Sequence, residues 1–158
     1  MITVRSEMDK DKAEIQNVID SAVATLRETY RPTQRAIDSK AQRNLSCQRL
    51  VATTNDRVVG TVQYYHDNQC VSVIGLDVHT DYRKKGVARR LIHHIKKIGT
   101  KEDANILKLH TIKETGNVEV FKRLGFKVAL EQIDVLFESD KFEKLTDVEM
   151  IMELPDSK

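Results

Sequence analysis

A basic run centred on a glycine places the strongest constraint on the fold of this chain: residues 82–90 have the sequence YRKKGVARR. An apolar stretch typical of a β-strand precedes the run, and an amphipathic helix pattern follows it. A strand, a short turn and a helix start gather backbone N–H groups around one point. Those donors, the positive end of the helix dipole and the cations of the run suit a phosphate. The run therefore predicts a site for either a phosphate-bearing cofactor or a nucleic acid.

Composition favours the cofactor over the nucleic acid. The chain has 158 residues, of which 40% are apolar and 32% charged, so we expect one domain over residues 1–158. Its 26 basic and 24 acidic side chains leave a net charge of only +2. A dedicated nucleic-acid-binding protein usually carries a strong basic excess. The basic run is thus a local feature of a balanced surface, and we predict no nucleic-acid partner.

The two cysteines, Cys47 and Cys70, indicate neither a metal site nor an oxidising compartment. Their spacing matches no zinc or redox pattern, so we expect reduced thiols, no disulfide and no metal. No stretch approaches the ~18 apolar residues of a membrane span, and the N-terminus lacks the pattern of a secretory signal. We therefore expect a cytoplasmic protein without a membrane partner.

Hydrophobic periodicity predicts alternating helices and strands. A first helix is predicted to begin near Asp11, with Glu14 completing an N-terminal cap, and to end before Pro32. Residues 33–46 are polar and only weakly helical, and we interpret them as a mobile connector. Strands are predicted over residues 2–4, 48–53, 57–66, 70–78, 106–112, 127–130 and 148–154, and further helices over 87–98 and 117–124.

Glycines and turn residues mark where these elements bend or end. The Asn-Asp pair at residues 55–56 predicts a hairpin turn, and Gly60 predicts a bulge in the strand that follows. Gly99 and Gly125 are predicted to end the second and third helices. Antiparallel hairpins then meet a β-α-β unit. The predicted fold class is a mixed α+β domain whose functional centre is the strand, turn and helix of residues 71–98.

Small residues in the basic run allow a ligand to approach the backbone. Gly86 has no Cβ, and Ala88 is small and lies in the first turn of the predicted helix. Free N–H groups over residues 86–89 can then converge on a pyrophosphate. Each such charge-assisted hydrogen bond contributes about 1.5–3 kcal/mol, so three or four of them would anchor a cofactor.

Two segments resemble the signatures of the GCN5-related N-acetyltransferase (GNAT) family. Residues 76–92, LDVHTDYRKKGVARRLI, resemble its acetyl-coenzyme A signature, in which Arg83, Gly86 and Ala88 fill the defining positions. Residues 120–126, VFKRLGF, resemble its second signature, a short helix ending in Leu-Gly-Phe. One predicted strand separates the two, as in the family. The resemblance implies a GNAT-like fold: a mostly antiparallel mixed sheet, splayed at the cofactor site and flanked by about four helices.

The resemblance also implies where acetyl-CoA, as co-substrate, would bind. The backbone of Leu76 and Val78 would bond the pantetheine arm as an extra strand does, and residues 83–89 would hold the pyrophosphate. A basic side chain, from Lys84, Lys85 or Arg123, would reach the outer phosphate. The cofactor-binding residues expected on this basis are Leu76, Asp77, Val78, Arg83, Lys84, Lys85, Gly86, Val87, Ala88, Arg89 and Phe121.

The chain departs from the family pattern in the helix of the second signature. Phe121 stands where many members have a tyrosine that protonates the departing thiolate, and Glu114 stands where many have an asparagine. A thiol has a pKa near ~8.5, so its departure as thiolate at neutral pH costs only about 2 kcal/mol. Tyr82 or a water is the expected substitute for the missing tyrosine.

The general base is not evident from the sequence. An ammonium cannot attack, so an acceptor amine must first lose a proton. Members that use a carboxylate or histidine place it on the central strand, where this chain has Ser72 and Ile74. Ser72, acting through a chain of waters, is the catalytic candidate, and Asp77 and His79 lie nearby. The remaining histidines are interpreted as structural or exposed residues: His66, His93, His94 and His110.

The predicted function is transfer of an acetyl group from acetyl-CoA to a primary amine by direct attack, without a metal. The alternatives are a GNAT-like sensor or scaffold that binds the cofactor without catalysis, a transferase of another acyl group, and a nucleic-acid-binding module using residues 83–90. The acceptor, a small molecule or a peptide, is expected to contact segments 27–46, 64–68 and 131–146, which hold no motif. Monomer and homodimer both remain open.

Overall fold

A computed structural model of the chain describes residues 1–42 and 46–155, with the side chains of 40–42 excluded. The strands in this part are β1 (Thr3–Ser6), β2 (Arg31–Pro32), β3 (Gln48–Thr54), β4 (Arg57–Asp67), β5 (Cys70–Val78), β6 (Ile106–Ile112), β7 (Lys127–Ile133), β8 (Phe137–Glu138) and β9 (Thr146–Glu153). The α-helices are α1 (Lys12–Leu26), α2 (Gln34–Gln42), α3 (Val87–Lys101) and α4 (Asn117–Arg123). Short 3-10 turns lie at Asp9–Asp11, Thr80–Tyr82 and Lys113–Thr115.

Seven of these strands form one mixed sheet in the order β1-β3-β4-β5-β6-β9-β7. Neighbouring strands are antiparallel except for β5 and β6, which run parallel because α3 crosses between them. β2 and β8 form a separate two-stranded antiparallel sheet. The mixed α+β class and the β-α-β unit predicted from the sequence are both confirmed.

Helices pack on both faces of the sheet. On one face, α1 buries Ile15 and Val18 against Val51 and Val58. On the other face, α3 buries Leu91 and Ile95 completely in the larger core, and part of α4 packs against the same core. This core fixes the position of α3. It therefore also fixes the position of the N-terminus of α3, which lies within the basic run.

The hairpin of β3 and β4 has the turn and the bulge predicted for it. Asn55 and Asp56 both have left-handed backbone conformations, with φ of 50° and 62°, as a two-residue type I′ turn requires. The register shifts between Ala52 and Thr53, beside Gly60. A Cβ on Gly60 would lie 2.5 Å from Cγ1 of Val87, so the glycine also lets the first turn of α3 approach the sheet.

The predicted end of α3 at Gly99 is wrong. The helix continues to Lys101, and Gly99 is buried within it. A Cβ at this position would lie 2.7 Å from Cδ1 of Leu154. The glycine therefore permits close packing between the helix and the end of the described chain, and it does not terminate the helix.

The predicted cap of α1 by Asp11 and Glu14 is also wrong. No side chain caps the first turn of α1 in the described part of the chain. The Asp11 carboxylate instead accepts hydrogen bonds from both Nη atoms of Arg5, at 2.7 and 3.0 Å, and from the N–H of Met8 at 2.8 Å. Glu14 accepts a hydrogen bond from the N–H of Val58 at 2.7 Å. Both carboxylates tie α1 to the sheet region.

Between α1 and β3 the chain contains two elements, β2 and α2. Residues 34–42 form α2, in line with the weak helical pattern, and residues 43–45 of the predicted connector lie outside the described residues. The pairing of β2 with β8 was not predicted, because strands of two residues carry no periodic signal. No helix in the described ranges is long and apolar enough to cross a membrane.

Candidate active site

The sheet opens between β5 and β6, its two parallel strands. They pair only over residues 70–72 of β5 and 106–108 of β6. Beyond these residues both strands continue, to Val78 and Ile112, without pairing to each other. The gap widens toward the C-terminal ends of both strands, after which α3 and α4 begin. This is the splayed sheet that the family resemblance implies.

A bulge in β5 determines which backbone groups face the gap. The register between β4 and β5 shifts by one residue at Ile74. After the bulge, the N–H of His79 donates to the carbonyl of Val59 in β4 at 2.9 Å. Backbone groups alternate in direction along an antiparallel strand. Leu76 and Val78 therefore point their N–H and C=O groups away from β4 and into the gap.

The basic run forms the turn that joins β5 to α3. Lys84 and Gly86 have left-handed backbone conformations, with φ of 61° and 83°. The first bond of α3 runs from the N–H of Arg90 to the carbonyl of Gly86 at 3.0 Å, so the N–H groups of residues 87–89 precede the helical ladder. A Cβ on Gly86 would meet no described atom within 4 Å. In the described part of the chain no side chain caps the start of α3, which leaves these donors available to an anion.

The arginines of the basic run anchor it to neighbouring elements. Their Nη2 atoms donate hydrogen bonds over 2.7–3.4 Å: Arg83 to Oγ1 of Thr25, Arg89 to the carbonyl of Arg123, and Arg90 to the carbonyl of Ile2. The guanidinium groups thus position the turn. The phosphate-binding roles predicted for Arg83 and Arg89 would fall to their backbone N–H groups.

The two lysines of the run are exposed at the turn. The Nζ of Lys85 lies 5.3 Å from the centre of the Tyr82 ring, a cation–π contact. Lys84 and Lys85 thus lie in the turn immediately before the start of α3. Tyr82 also contacts the ring of His79 edge-on, with centroids 6.1 Å apart, and its proposed role as a proton donor stays a prediction.

The second signature forms α4 and its C-terminal turn. Gly125 has a φ of 109°, and the N–H of Phe126 donates to the carbonyl of Phe121 at 3.0 Å, which closes the helix. Phe121 is half-buried against the core, and Phe126 is buried beside it. Glu114, in the turn before α4, accepts a hydrogen bond from the N–H of Thr146 at 2.5 Å. Glu114 therefore joins α4 to the start of β9.

Two of the three predicted acceptor segments are joined by a small sheet. β2 pairs with β8, and the ring of Tyr30 contacts that of Phe137 edge-on, with centroids 4.8 Å apart. Burial raises the pKa of Tyr30, while the charge of Arg27 opposes this effect. The segments around residues 30 and 137 are therefore held against each other.

The structure also brings together a histidine and two carboxylates that the sequence did not indicate. Nδ1 of His110 on β6 lies 2.9 Å from Oδ2 of Asp147 on β9, and Nε2 lies 3.8 Å from Oε1 of Glu149. The His110 side chain is 49% exposed, whereas Ser72, the predicted catalytic candidate, is 5% exposed. Asp147 is distant from His110 in sequence, so no local motif predicts their contact.

Other chemistry-bearing residues form no cluster in the described part of the chain. No three His, Cys, Asp or Glu side chains in residues 1–42 and 46–155 are arranged to hold a metal ion. Cys47 and Cys70 are both free thiols.

A comparison with protein families shows which family the chain belongs to. The family model described as the acetyltransferase (GNAT) family matches residues 15–126, more than half of the chain. The chain belongs to the GNAT family. The matched range contains most of α1, the open gap, the basic run and α4. No curated protein matches the chain in sequence.

Solved GNAT structures share this fold at low sequence identity. The ribosomal-protein-S18-alanine N-acetyltransferase of Escherichia coli has a TM-score of 0.75 and 15% identity, with 98% of this chain and 94% of that chain covered. The PaiA N-acetyltransferase of Thermoplasma acidophilum, solved with coenzyme A, has a TM-score of 0.73 and 18% identity, with 97% and 99% covered. Nourseothricin acetyltransferase has a TM-score of 0.68 and 16% identity, with 98% and 99% covered. The GNAT-like fold predicted from the two signatures is confirmed.

Proposed function

We propose that residues 1–158 form a single N-acetyltransferase domain that transfers an acetyl group from acetyl-CoA to a primary amine. Acetyl-CoA is the co-substrate of the GNAT family, to which the chain belongs. One observation carries the proposal: the open N–H groups at the start of α3 follow directly after a strand whose backbone groups face an open gap. This arrangement suits a ligand with a diphosphate at one end and an extended, amide-bearing arm at the other.

Each part of the cofactor has a proposed partner in this arrangement. The N–H groups of residues 86–89 bind the pyrophosphate, where the dipole of the 15-residue α3 also favours negative charge. Lys84 and Lys85 neutralise phosphate charge. Leu76 and Val78 hydrogen-bond the pantetheine arm through their backbone groups. Asp77 lies between them in β5, and Phe121 contributes apolar surface from α4.

The chemistry follows from the placement of the thioester in the gap. The neutral amine nitrogen attacks the carbonyl carbon, the C–N bond forms, and the C–S bond breaks. The coenzyme A thiolate departs and takes up the proton that the nitrogen loses, so the products are the acetylated amine and coenzyme A. Backbone N–H groups near Val78 stabilise the oxyanion as it develops. Thiolate release needs no strong acid at neutral pH, because a thiol has a pKa near ~8.5. Phe121 is therefore compatible with turnover.

The acceptor approaches from the α1 face, between the segments around residues 30 and 134. Cofactor phosphates bind at the N-terminus of α3, which packs on the opposite face of the sheet. The thioester then lies in the gap between the two faces. Pairing of β2 with β8 holds two of the expected acceptor segments against each other. The GNAT structures above include enzymes named for a protein alanine and for an antibiotic, so both kinds of amine are reasonable trial acceptors.

A thiol-release assay tests this function. Acetyl-CoA is mixed with the protein and with each member of a panel: an alanyl-terminated peptide, nourseothricin, L-lysine and spermidine. We expect amine-dependent release of coenzyme A with at least one member, and an acetylated amine detected by mass spectrometry. The Gly86→Glu variant is the negative control. Tight binding of acetyl-CoA with no turnover of any amine in the panel would contradict the proposed enzymatic function.

A second candidate, a silent acetyl-CoA sensor, is favoured by one observation. Phe121 replaces the proton-donating tyrosine that many family members have, and its side chain carries no exchangeable proton. The sensor predicts cofactor binding without turnover, so the same assay separates the two candidates.

A further inference from the structure

We propose that His110, oriented by Asp147, is the general base that deprotonates the acceptor amine. The inference rests on the proposed acetyltransferase function and deepens it, because no base could be assigned from the sequence. The structure places this pair on the face of the sheet opposite α3, close to the point where β5 and β6 part.

The position of His110 follows from the register of the two strands. Ser72 pairs with Lys108, and this is the last pair between β5 and β6. His110 lies two residues further along β6, where the gap has opened. Leu107 and Leu109 belong to the core beneath α3, so Lys108 and His110 occupy the opposite face by strand alternation. That is the face from which the acceptor is proposed to approach.

The contacts of the imidazole ring define its tautomer. Asp147 is 15% exposed, and its Oδ2 lies 2.9 Å from Nδ1 of His110. An ionised carboxylate can only accept a hydrogen bond, so Nδ1 carries the proton and donates it. Nε2 then has a free lone pair, with Oε1 of Glu149 at 3.8 Å, beyond hydrogen-bond distance. In this tautomer, Nε2 is the ring nitrogen that can accept a proton from the acceptor amine.

Charged side chains from β6 and β9 surround the His110 ring. Asp147 and Glu149 are both acidic and both come from β9. Lys108, on β6 itself, lies 4.0 Å from Glu149 and partly offsets that carboxylate. The imidazolium formed by proton transfer therefore lies next to two carboxylates and one distant ammonium.

The proton balance of the step is complete. The ammonium form of the acceptor gives one proton to Nε2 of His110, and the neutral amine attacks the thioester carbon. The C–S bond breaks, the second N–H proton moves to the departing sulfur, and the products are the acetylated amine and coenzyme A. His110 returns its proton to solvent, to which the half-exposed ring has access.

A kinetic comparison of His110→Gln with the wild type tests the proposal. The acceptor is the panel amine that the wild type acetylates fastest. At pH 7.5 we expect kcat/KM for the amine to fall about 100-fold, the size of a typical general-base contribution. Between pH 7.5 and 9.5 the deficit should shrink, since the variant uses amine that is already neutral and an alkyl amine has a pKa near ~10.4. Asp147→Asn should also lower kcat/KM at pH 7.5, because an asparagine no longer fixes the proton on Nδ1 of His110.

His93→Gln is the matched control. His93 is an exposed histidine of α3, the helix that packs on the sheet face opposite His110, and it lies outside the residues assigned to the cofactor or the acceptor. We expect kcat/KM of this control variant to stay within about 2-fold of the wild type. The affinity for acetyl-CoA should be unchanged in the control, in His110→Gln and in Asp147→Asn. A His110→Gln deficit that is absent, or equal at every pH, would overturn the assignment. Absence of turnover in the wild type would instead overturn the proposed function.

Discussion

Asp11 and Arg5 show how a single ion pair sets the attachment of a helix. The Asp11 side chain is 4% exposed and accepts hydrogen bonds from Arg5 and from the N–H of Met8. Its bonds to Arg5 are the largest cause of a lowered pKa for this carboxyl, which outweighs the opposing effect of burial. The pair joins β1 to the start of α1, so we expect its loss to weaken the attachment of α1 to the sheet.

Asp11→Asn should therefore destabilise the protein in a pH-dependent way. A carboxyl whose pKa is lower in the folded than in the unfolded state stabilises the fold above the unfolded value, near ~3.9. We expect a loss of about 2 kcal/mol in the free energy of unfolding at pH 7, the scale of hydrogen bonds to charged groups. The difference from the wild type should shrink as the pH falls from 5 through 3, measured by urea unfolding.

The exposed turn residue Asp56 provides the control for this measurement. Asp56→Asn keeps a residue that tolerates the left-handed conformation and should change the unfolding free energy by less than about 0.5 kcal/mol at every pH. If Asp11→Asn shows a deficit that does not vary between pH 7 and 3, the ion pair is not its source.

Among the elements, α3 and β4 make the contact on which the phosphate site depends. Gly60 allows the first turn of α3 to rest on the sheet, because a Cβ there would lie 2.5 Å from Val87 and 3.3 Å from Leu91. The same turn presents the N–H groups proposed to bind pyrophosphate. Displacement of α3 would therefore change both the stability and the affinity for acetyl-CoA.

Gly60→Ala should cost about 1–3 kcal/mol of stability, as overpacking typically does, and should weaken acetyl-CoA binding. Gly75→Ala is the matched control on the adjacent strand, since its Cβ would lie 3.7 Å or more from the nearest described atoms outside its chain neighbours. Thermal unfolding and calorimetry on both variants measure the effects. Equal stability of Gly60→Ala and Gly75→Ala would show that α3 does not press on the sheet at this point.

The elements also show how far sequence reasoning reaches. Strands β5 and β6 match their predicted bounds, because their apolar pattern and flanking turns are local signals. Gly99 misled the prediction, since a glycine needed for close packing looks in sequence like a glycine that ends a helix. The pairing of β2 with β8 and the contact of His110 with Asp147 were not found, because each joins segments far apart in the chain.

At the scale of the whole molecule, the account predicts that acetyl-CoA stabilises the folded chain. A ligand at 100 times its Kd adds about 2.7 kcal/mol to the free energy of unfolding. For a chain of this size that corresponds to a rise in Tm of roughly 5–10 °C. Differential scanning fluorimetry with acetyl-CoA measures it, and adenosine alone, which lacks the diphosphate, should give a much smaller rise. Equal shifts with the two ligands would indicate that the diphosphate makes no contact.

The central claim is that the turn before α3 binds the diphosphate of acetyl-CoA, and calorimetric titration of Gly86 variants tests it most directly. Gly86→Ala and Gly86→Glu both place a Cβ at a φ of 83° in open space, so they share the backbone strain and differ in the carboxylate. We predict measurable binding by the wild type and by Gly86→Ala, and none by folded Gly86→Glu, whose carboxylate enters and repels the diphosphate site. Wild-type affinity in Gly86→Glu, or no binding by the wild type at millimolar acetyl-CoA, would contradict the account.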